Sequence, residues 1–290
     1  RGAATGLTPQ AVEDLRKFYG FDKPLPLRYL AWAGNIVRGN LGQSYNYRKP
    51  VWDLIRSRIP ISLAIGGTGF LLAYLVCVPL GIYKAVRHGT WADAATSVLV
   101  FVGLAIPDFV LGMVLLVLLG GGSFWNVFPL GGLRSDDFAS MSLFGKAKDL
   151  LHHLTLPLIC YMVGHFATIT LLTKNSVLEN LASDYVRTAR AKGLSPRVVL
   201  FKHALRNSLI PLATGFGHLL SVLVASSLLL EVVFSIHGMG LLSYEALVQR
   251  DYPVTLGVIM IGSLLVLLGN LISDVLYVLI DPRISFASKA

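Results

Sequence analysis

Apolar residues in this chain come in long runs rather than in alternation or narrow stripes. Five runs reach the length of about 20 residues that a helix needs to cross a bilayer. They cover 59–83, 94–119, 154–173, 209–230 and 254–280. Pro79, Pro107, Gly112 and Gly262 interrupt them. Spanning helices tolerate such breaks where neighbouring helices re-satisfy the freed backbone groups. The pattern predicts an all-α membrane protein with five spans. Gly66-Gly67-Thr68-Gly69 falls inside a run and reads as close helix packing.

The connections between the runs differ in kind. Residues 84–93 form a short loop with Lys84, Arg87 and His88. Residues 120–153 form a longer loop of balanced charge, and 174–208 is strongly basic. The loops 84–93 and 174–208 with the tail carry 11 Lys and Arg, against 4 in the loops on the other side. An excess of this kind marks the cytoplasmic side. The C-terminus is therefore expected inside and residues 1–58 outside. That segment carries 10 Lys and Arg of its own, a bias that long translocated segments largely escape, although Arg56 and Arg58 beside a span oppose the assignment. It reads as a small folded unit with Thr8-Pro9 opening a first helix closed by Gly20, and a second short helix over 26–37. An exported N-terminus needs a span to carry it across, so a sixth span is expected before Arg1.

Composition agrees with the pattern. Hydrophobic residues make up 54% of the 290 and charged residues 14%, where a soluble domain carries about a quarter charged. The net charge of +9 sits in topogenic loops, and the spans leave no free domain for a nucleic-acid footprint. Cys77 and Cys160 both lie in apolar runs and read as small core residues, not as a metal pair or a disulfide.

The loop 174–208 is the most informative stretch. Leu178, Leu181, Tyr185 and Ala189 recur at helical spacing and define one face. Gly193 is placed to end this helix in the left-handed conformation, and Ser195-Pro196 to cap and open a second. Val198, Val199, Ala204 and Leu205 alternate there with Arg197, Lys202, His203 and Arg206. This predicts a helix–turn–helix on the cytoplasmic face. It has two readings: a basic topogenic loop, or a docking surface for a partner.

The run Asp184-Tyr185-Val186-Arg187-Thr188-Ala189-Arg190-Ala191-Lys192-Gly193-Leu194-Ser195, with His203-Ala204-Leu205-Arg206-Asn207, resembles the cytoplasmic coupling loop of the oligopeptide/dipeptide/nickel family of ABC importer permeases. The broader superfamily opens this loop with Glu-Ala-Ala, where this chain has Arg187-Thr188-Ala189. The later proline comes at Pro211, farther from Gly193 than in the general pattern; both departures resemble the peptide branch. The resemblance extends along nearly the whole chain: Tyr19-Gly20-Phe21-Asp22-Lys23-Pro24, Gly39-Asn40-Leu41-Gly42, Ile106-Pro107-Asp108-Phe109, Val233-Phe234-Ser235, Gly238-Met239-Gly240, Arg250-Asp251-Tyr252-Pro253 and Asp281-Pro282-Arg283. His237 replaces a usual proline, and Leu171-Leu172-Thr173-Lys174-Asn175-Ser176 is most similar to the subgroup importing peptides and the peptide-nucleotide microcin C.

The resemblance implies a type I ABC importer transmembrane subunit. It implies a homologous second permease, two ATPase subunits or one fused ATPase, and an extracytoplasmic substrate-binding protein, all at a bacterial inner membrane. It assigns ATPase coupling to Asp184, Tyr185, Arg187, Thr188, Ala189, Arg190, Gly193, Leu194, Ser195, His203 and Arg206. No cofactor is expected in this chain: it has no P-loop sequence, and ATP and Mg belong to the partners. The implied cargo is a peptide or peptide-like solute, with nickel or another small solute as the alternative.

Asp108 follows the proline of a span, with Phe109 beside it. It either lines the translocation path or satisfies backbone groups freed by Pro107. Asp274, nearer a span end, reads as structural. His152, His153, His165 and His218 show no metal-ligand spacing and read as partnered histidines. A secondary transporter predicts inverted repeats and midplane coupling sites, and a membrane enzyme predicts a nucleophile–base pair; neither pattern is present.

Overall fold

The computed structural model describes residues 22–121, 124–215 and 228–280, together with Gln10 and Glu13. Apart from two isolated β-bridges, the regular structure among these residues is helical. The first described helix, α1 (Leu25–Val37), opens on Pro24 and buries none of its side chains. It matches the expected helix over 26–37. The helix expected from Thr8-Pro9 to Gly20 lies outside the described residues.

Helix α2 (Val51–Val86) is continuous through Pro60 and Pro79. A π-helical turn, Leu63–Gly67, follows Pro60, which lacks the N–H that would continue the ladder. The span thus starts at Val51, not near 59, and Arg56 and Arg58 belong to its first turns. Helix α5 (Leu143–Leu181) is likewise longer than the run 154–173, and takes in the last part of the loop expected over 120–153 and the first part of 174–208. Ser142 caps it, accepting from the Gly145 N–H at 3.2 Å. Amphipathic ends extend both spans beyond their apolar centres, which is why the apolar run alone understates them.

The run 94–119 is not one straight span. It divides into α3 (Trp91–Ala105) and α4 (Asp108–Leu119), bent by 91°. Ile106 adopts an extended backbone with φ −98° and ψ 115°. The residue before a proline is pushed out of the helical region, and the proline itself supplies no donor. Helix α6 (Asp184–Ala191) and a segment from Pro196 to Ser208 follow α5, and 210–215 is helical again. Most of the expected span 209–230 lies outside the described residues. Its far end is α7 (Leu228–Val233), followed by α8 (Met239–Val248) and α9 (Tyr252–Ile280). Among the described residues, three helices are long and apolar enough to cross a membrane, and the bent pair makes a fourth if counted as one crossing.

Helices α2 and α5 form the centre. A Cβ on Gly81 would lie 2.5 Å from Thr173 Cβ and 2.8 Å from the Thr170 carbonyl oxygen; one on Gly69 would lie 2.6 Å from the Tyr161 ring. The two backbones therefore meet at distances only glycine permits. Around this contact Ile65, Phe70, Leu154, Leu158 and Tyr161 are joined by Phe234 from the residues after α7. A second cluster ties Val51 and Ile55 of α2 to Met239 and Leu242 of α8 and Val254 of α9.

At this same end the loop 42–50 is stitched down by the buried carboxylate of Asp251. Asp251 accepts from Ser44 Oγ and from the Tyr45 and Asn46 N–H groups at 3.2 Å. Tyr47 donates to Glu245, and this bond with partial burial pushes the Tyr47 pKa up to about 12. The phenol therefore stays a donor well above neutral pH. Glu231, also buried, accepts from the Leu241 N–H at 2.7 Å and the Gly240 N–H at 3.4 Å, so it holds the first turn of α8.

Candidate functional site: the basic helix–turn–helix

The basic loop emerges from the end of α5 as a compact knob. Ser183, in extended conformation, leads into α6. Val186 and Ala189 turn inward and close on Val199 and Ala204, with Leu181 packed against them. The inward face is thus Val186 and Ala189. Tyr185, expected on that face, is 40% exposed, with its hydroxyl bonded to Asn180 Oδ1. The chain breaks between Leu181 and Asp184 and so rotates the register that a single helix from Leu178 would keep.

Gly193 ends α6 with φ +76°. Its N–H donates to the Arg190 carbonyl at 2.9 Å, and the Leu194 N–H to the Ala189 carbonyl at 3.4 Å. This is the paired closure of a Schellman motif. A Cβ on Gly193 would meet nothing within 4 Å, so the sign of φ alone demands glycine. Ser195 stands at the expected N-cap with Pro196 first in the helix, but its side chain makes no capping bond; the proline's preset φ opens the turn. The segment runs Pro196–Val198, through a π-helical turn Val199–Ala204, into Leu205–Ser208.

The knob is fixed to the bundle at two points. Ser176 Oγ donates to the Ser208 carbonyl at 3.1 Å, and Leu205 packs against Ala85 and Val177. Arg206, expected to face a partner, donates from Nε to the Ile280 carbonyl at 2.8 Å and so caps the end of α9. His203 is half-buried, and Thr188 turns its hydroxyl to the Asp184 carbonyl at 2.9 Å. What remains exposed is an apolar set, Tyr185, Leu194, Val198 and Phe201 (66% exposed), together with Arg187, Arg190, Lys192, Arg197 and Lys202. Arg187 lies 3.4 Å from Asp184, an exposed pair that leaves most of its donors free for others.

The other expected position is Asp108. It opens α4, and its Oδ1 accepts from the Phe109 N–H at 2.8 Å, so it satisfies one of the backbone donors at the break. Its carboxylate lies over Gly164 of α5, where a Cβ would come within 3.4 Å of Asp108 Cβ. Phe109 packs into the central cluster. The two neighbours therefore point to different surroundings, and the knob and the break are separate sites.

A model of the family described as "Binding-protein-dependent transport system inner membrane component" matches residues 77–286, from the middle of α2 through the knob to the C-terminal segment. The chain belongs to this family. Over 287 residues it is 44% identical to the "Peptidoglycan transport system permease protein YejB" of Agrobacterium fabrum, covering 99% of this chain and 79% of that one. It is 38% identical over 270 residues to the "Oligopeptide transport system permease protein AppB" of Bacillus subtilis, covering 92% and 83%. An inward-facing structure of the MetNI methionine ABC transporter superimposes with a TM-score of 0.58 at 19% identity, covering 79% of this chain and 97% of that one. That likeness fixes the fold, a type I ABC importer permease. The chain is an inner-membrane transport permease, and such permeases work with an ATPase and a substrate-binding protein.

The permease's histidines behave as partnered residues. His152 meets the Val127 carbonyl at 2.6 Å, His153 the Asp149 carbonyl at 2.9 Å, and His165 the Tyr161 carbonyl at 3.1 Å. His218 lies outside the described residues. Asp274 is exposed on α9 beside Leu271 and Val275, with no hydrogen bond or ion pair to the other described residues. Sequence reasoning missed Glu231 and the cluster of buried Lys84 and Asp93 with part-buried Lys174. The available signal was the same for both: charged residues at or inside the ends of apolar runs.

Proposed function

We propose that this chain is one of two homologous permease subunits of an ATP-driven importer of peptides or peptide-like solutes. In this reading the knob at 182–208 docks on a cytoplasmic ATPase. The basic end of the bundle lies in the cytoplasm, as the Lys and Arg asymmetry of the loops supports, and residues 1–50 lie outside. ATP and Mg are bound by the ATPase subunits, and the chain itself does no covalent chemistry. The relatives described above carry peptidoglycan or oligopeptide in their names, which supports peptide-like cargo over nickel.

One observation carries the coupling role. A loop needed only for its charge requires no defined shape, yet this one has a sealed inner face, a Schellman turn and four exposed apolar residues interspersed along the chain with five exposed cations. Exposed apolar groups accompanied by charge suit a protein interface, in which apolar groups form the core and charge the rim. The Asp108 break, at the bend of α3 and α4, is the proposed point where the path is lined, with Phe109 supporting it from the core.

Gly193→Val tests the docking role, because a β-branched residue is strained at positive φ. Arg187→Glu with Arg190→Glu tests the rim. Both variants are expected to insert normally, to co-purify at least several-fold less ATPase and to lose ATP-driven uptake. Full ATPase recovery and unaltered uptake for Gly193→Val return the loop to a purely topogenic role.

A further inference from the structure

The carboxylate of Asp93, in the first turn of α3, is gripped by two ammonium groups from two other helices. Lys84 of α2 lies 3.0 Å from Oδ1, and Lys174 of α5 lies 2.8 Å from both carboxylate oxygens. Lys84 is wholly buried, and its other contacts go to Thr96 Oγ1 at 2.9 Å, Ser97 Oγ at 2.7 Å and the Asp93 carbonyl at 2.9 Å. The turn 87–90 closes over the carboxylate, with the Gly89 N–H at 3.3 Å and His88 Nδ1 at 3.2 Å. Three helices are thereby pinned at one level, about two turns of α5 before the knob begins at its end, Leu181.

Among the described residues, the rest of α3 meets the bundle through apolar contacts alone: Val100 is buried, and Gly103 faces Val163 and Phe166 of α5. Val98, Leu99, Phe101, Val102 and Leu104 are all exposed, and beyond Ala105 the helix breaks at Pro107. An apolar contact at its base would let α3 slide against α5. A carboxylate enclosed by two ammonium groups does not, because separation leaves buried charges unpaired.

We propose that Asp93 is a positioning residue of transport. It locks the base of α3 to α2 and α5, so that displacement of the knob reaches α3 and, across the Pro107 break, α4 and Asp108. This rests on the reading of 182–208 as the coupling loop.

The test uses the complete importer, with partner permease, ATPases and binding protein, in a Cys77→Ser, Cys160→Ser background. Spin labels at Leu99 on α3 and Thr188 in the knob report their separation in the nucleotide-free and vanadate-trapped states. The unaltered Asp93 complex is expected to keep one narrow distance in both states; a shift between them overturns the proposal. Asp93→Asn and the milder Lys174→Gln are expected to broaden the distribution at least twofold and to lower binding-protein-stimulated ATP hydrolysis at least tenfold. A merely structural role lowers the yield of complex without broadening the distance in what assembles, and that result also overturns the proposal. Gly193→Val, assayed beside these, separates the two ideas. If it loses ATPase while the Asp93→Asn distance stays narrow, only the positioning role fails. If it keeps ATPase, the coupling reading itself fails.

Discussion

Single residues in this permease show what an apolar run hides. Asp108 stands where a proline has removed a donor and turned the chain, and its carboxylate answers one of the N–H groups so exposed. Asparagine at this position keeps a carbonyl oxygen that can accept the same bond and removes the charge. Asp108→Asn is therefore expected to assemble to the level of the parent, measured as recovered complex, with a change of only a few-fold in uptake. Loss of assembly instead assigns Asp108 to the fold and withdraws it from the path. The sequence makes the break at Pro107 legible, and with it the two alternative readings of Asp108, of which the bond to the Phe109 N–H shows the backbone one. It does not make legible that the Asp108 carboxylate rests on Gly164, more than fifty positions away, because no local pattern encodes that contact. Arg206 illustrates the same limit. The resemblance places it among the coupling residues, and only the fold shows that its Nε reaches the Ile280 carbonyl of α9.

At the scale of elements, apolar runs locate the helices and misjudge their ends. Helices α2 and α5 both outrun their apolar centres, since their terminal turns can carry charge where the helix leaves the hydrocarbon. The helix–turn–helix of the knob was readable almost to the residue, because glycine at positive φ and proline at the first helical position are local constraints. Its inward face holds Ala189 as the spacing predicts, with Val186 in place of Tyr185, a consequence of the interruption at 182–183 that resets the helical phase. The packing of α2 on α5 depends on Gly81, whose absent side chain leaves room for Thr173 and a backbone carbonyl. Gly81→Val forces these backbones apart. Overpacking of this kind costs about 1–3 kcal/mol, and more where the backbone must move. The variant is expected to melt earlier in detergent than the parent and to yield less complex; an unchanged melting temperature and yield contradict the close contact.

The whole molecule reads as a central pair of helices with machinery at each end. At one end buried carboxylates of Asp251 and Glu231 hold loops and short helices in place. At the other, the Asp93 cluster and the Ser176–Ser208 pair join the spans to a knob that presents apolar groups and cations to its surroundings. Helices α3 and α9 leave broad apolar faces uncovered, as expected of surfaces that meet lipid or the second permease. A knob that carries force from an ATPase must touch it. A photoreactive benzoylphenylalanine placed at Tyr185 or Val198 in the knob, and at Leu75 in α2 as a control, is to be illuminated in membranes containing the complete importer. An adduct with the ATPase subunit is expected from positions 185 and 198, with a yield that changes when ATP is trapped, and none from position 75. Adducts from the knob with lipid or with the permeases alone, and none with the ATPase in any nucleotide state, contradict the coupling role.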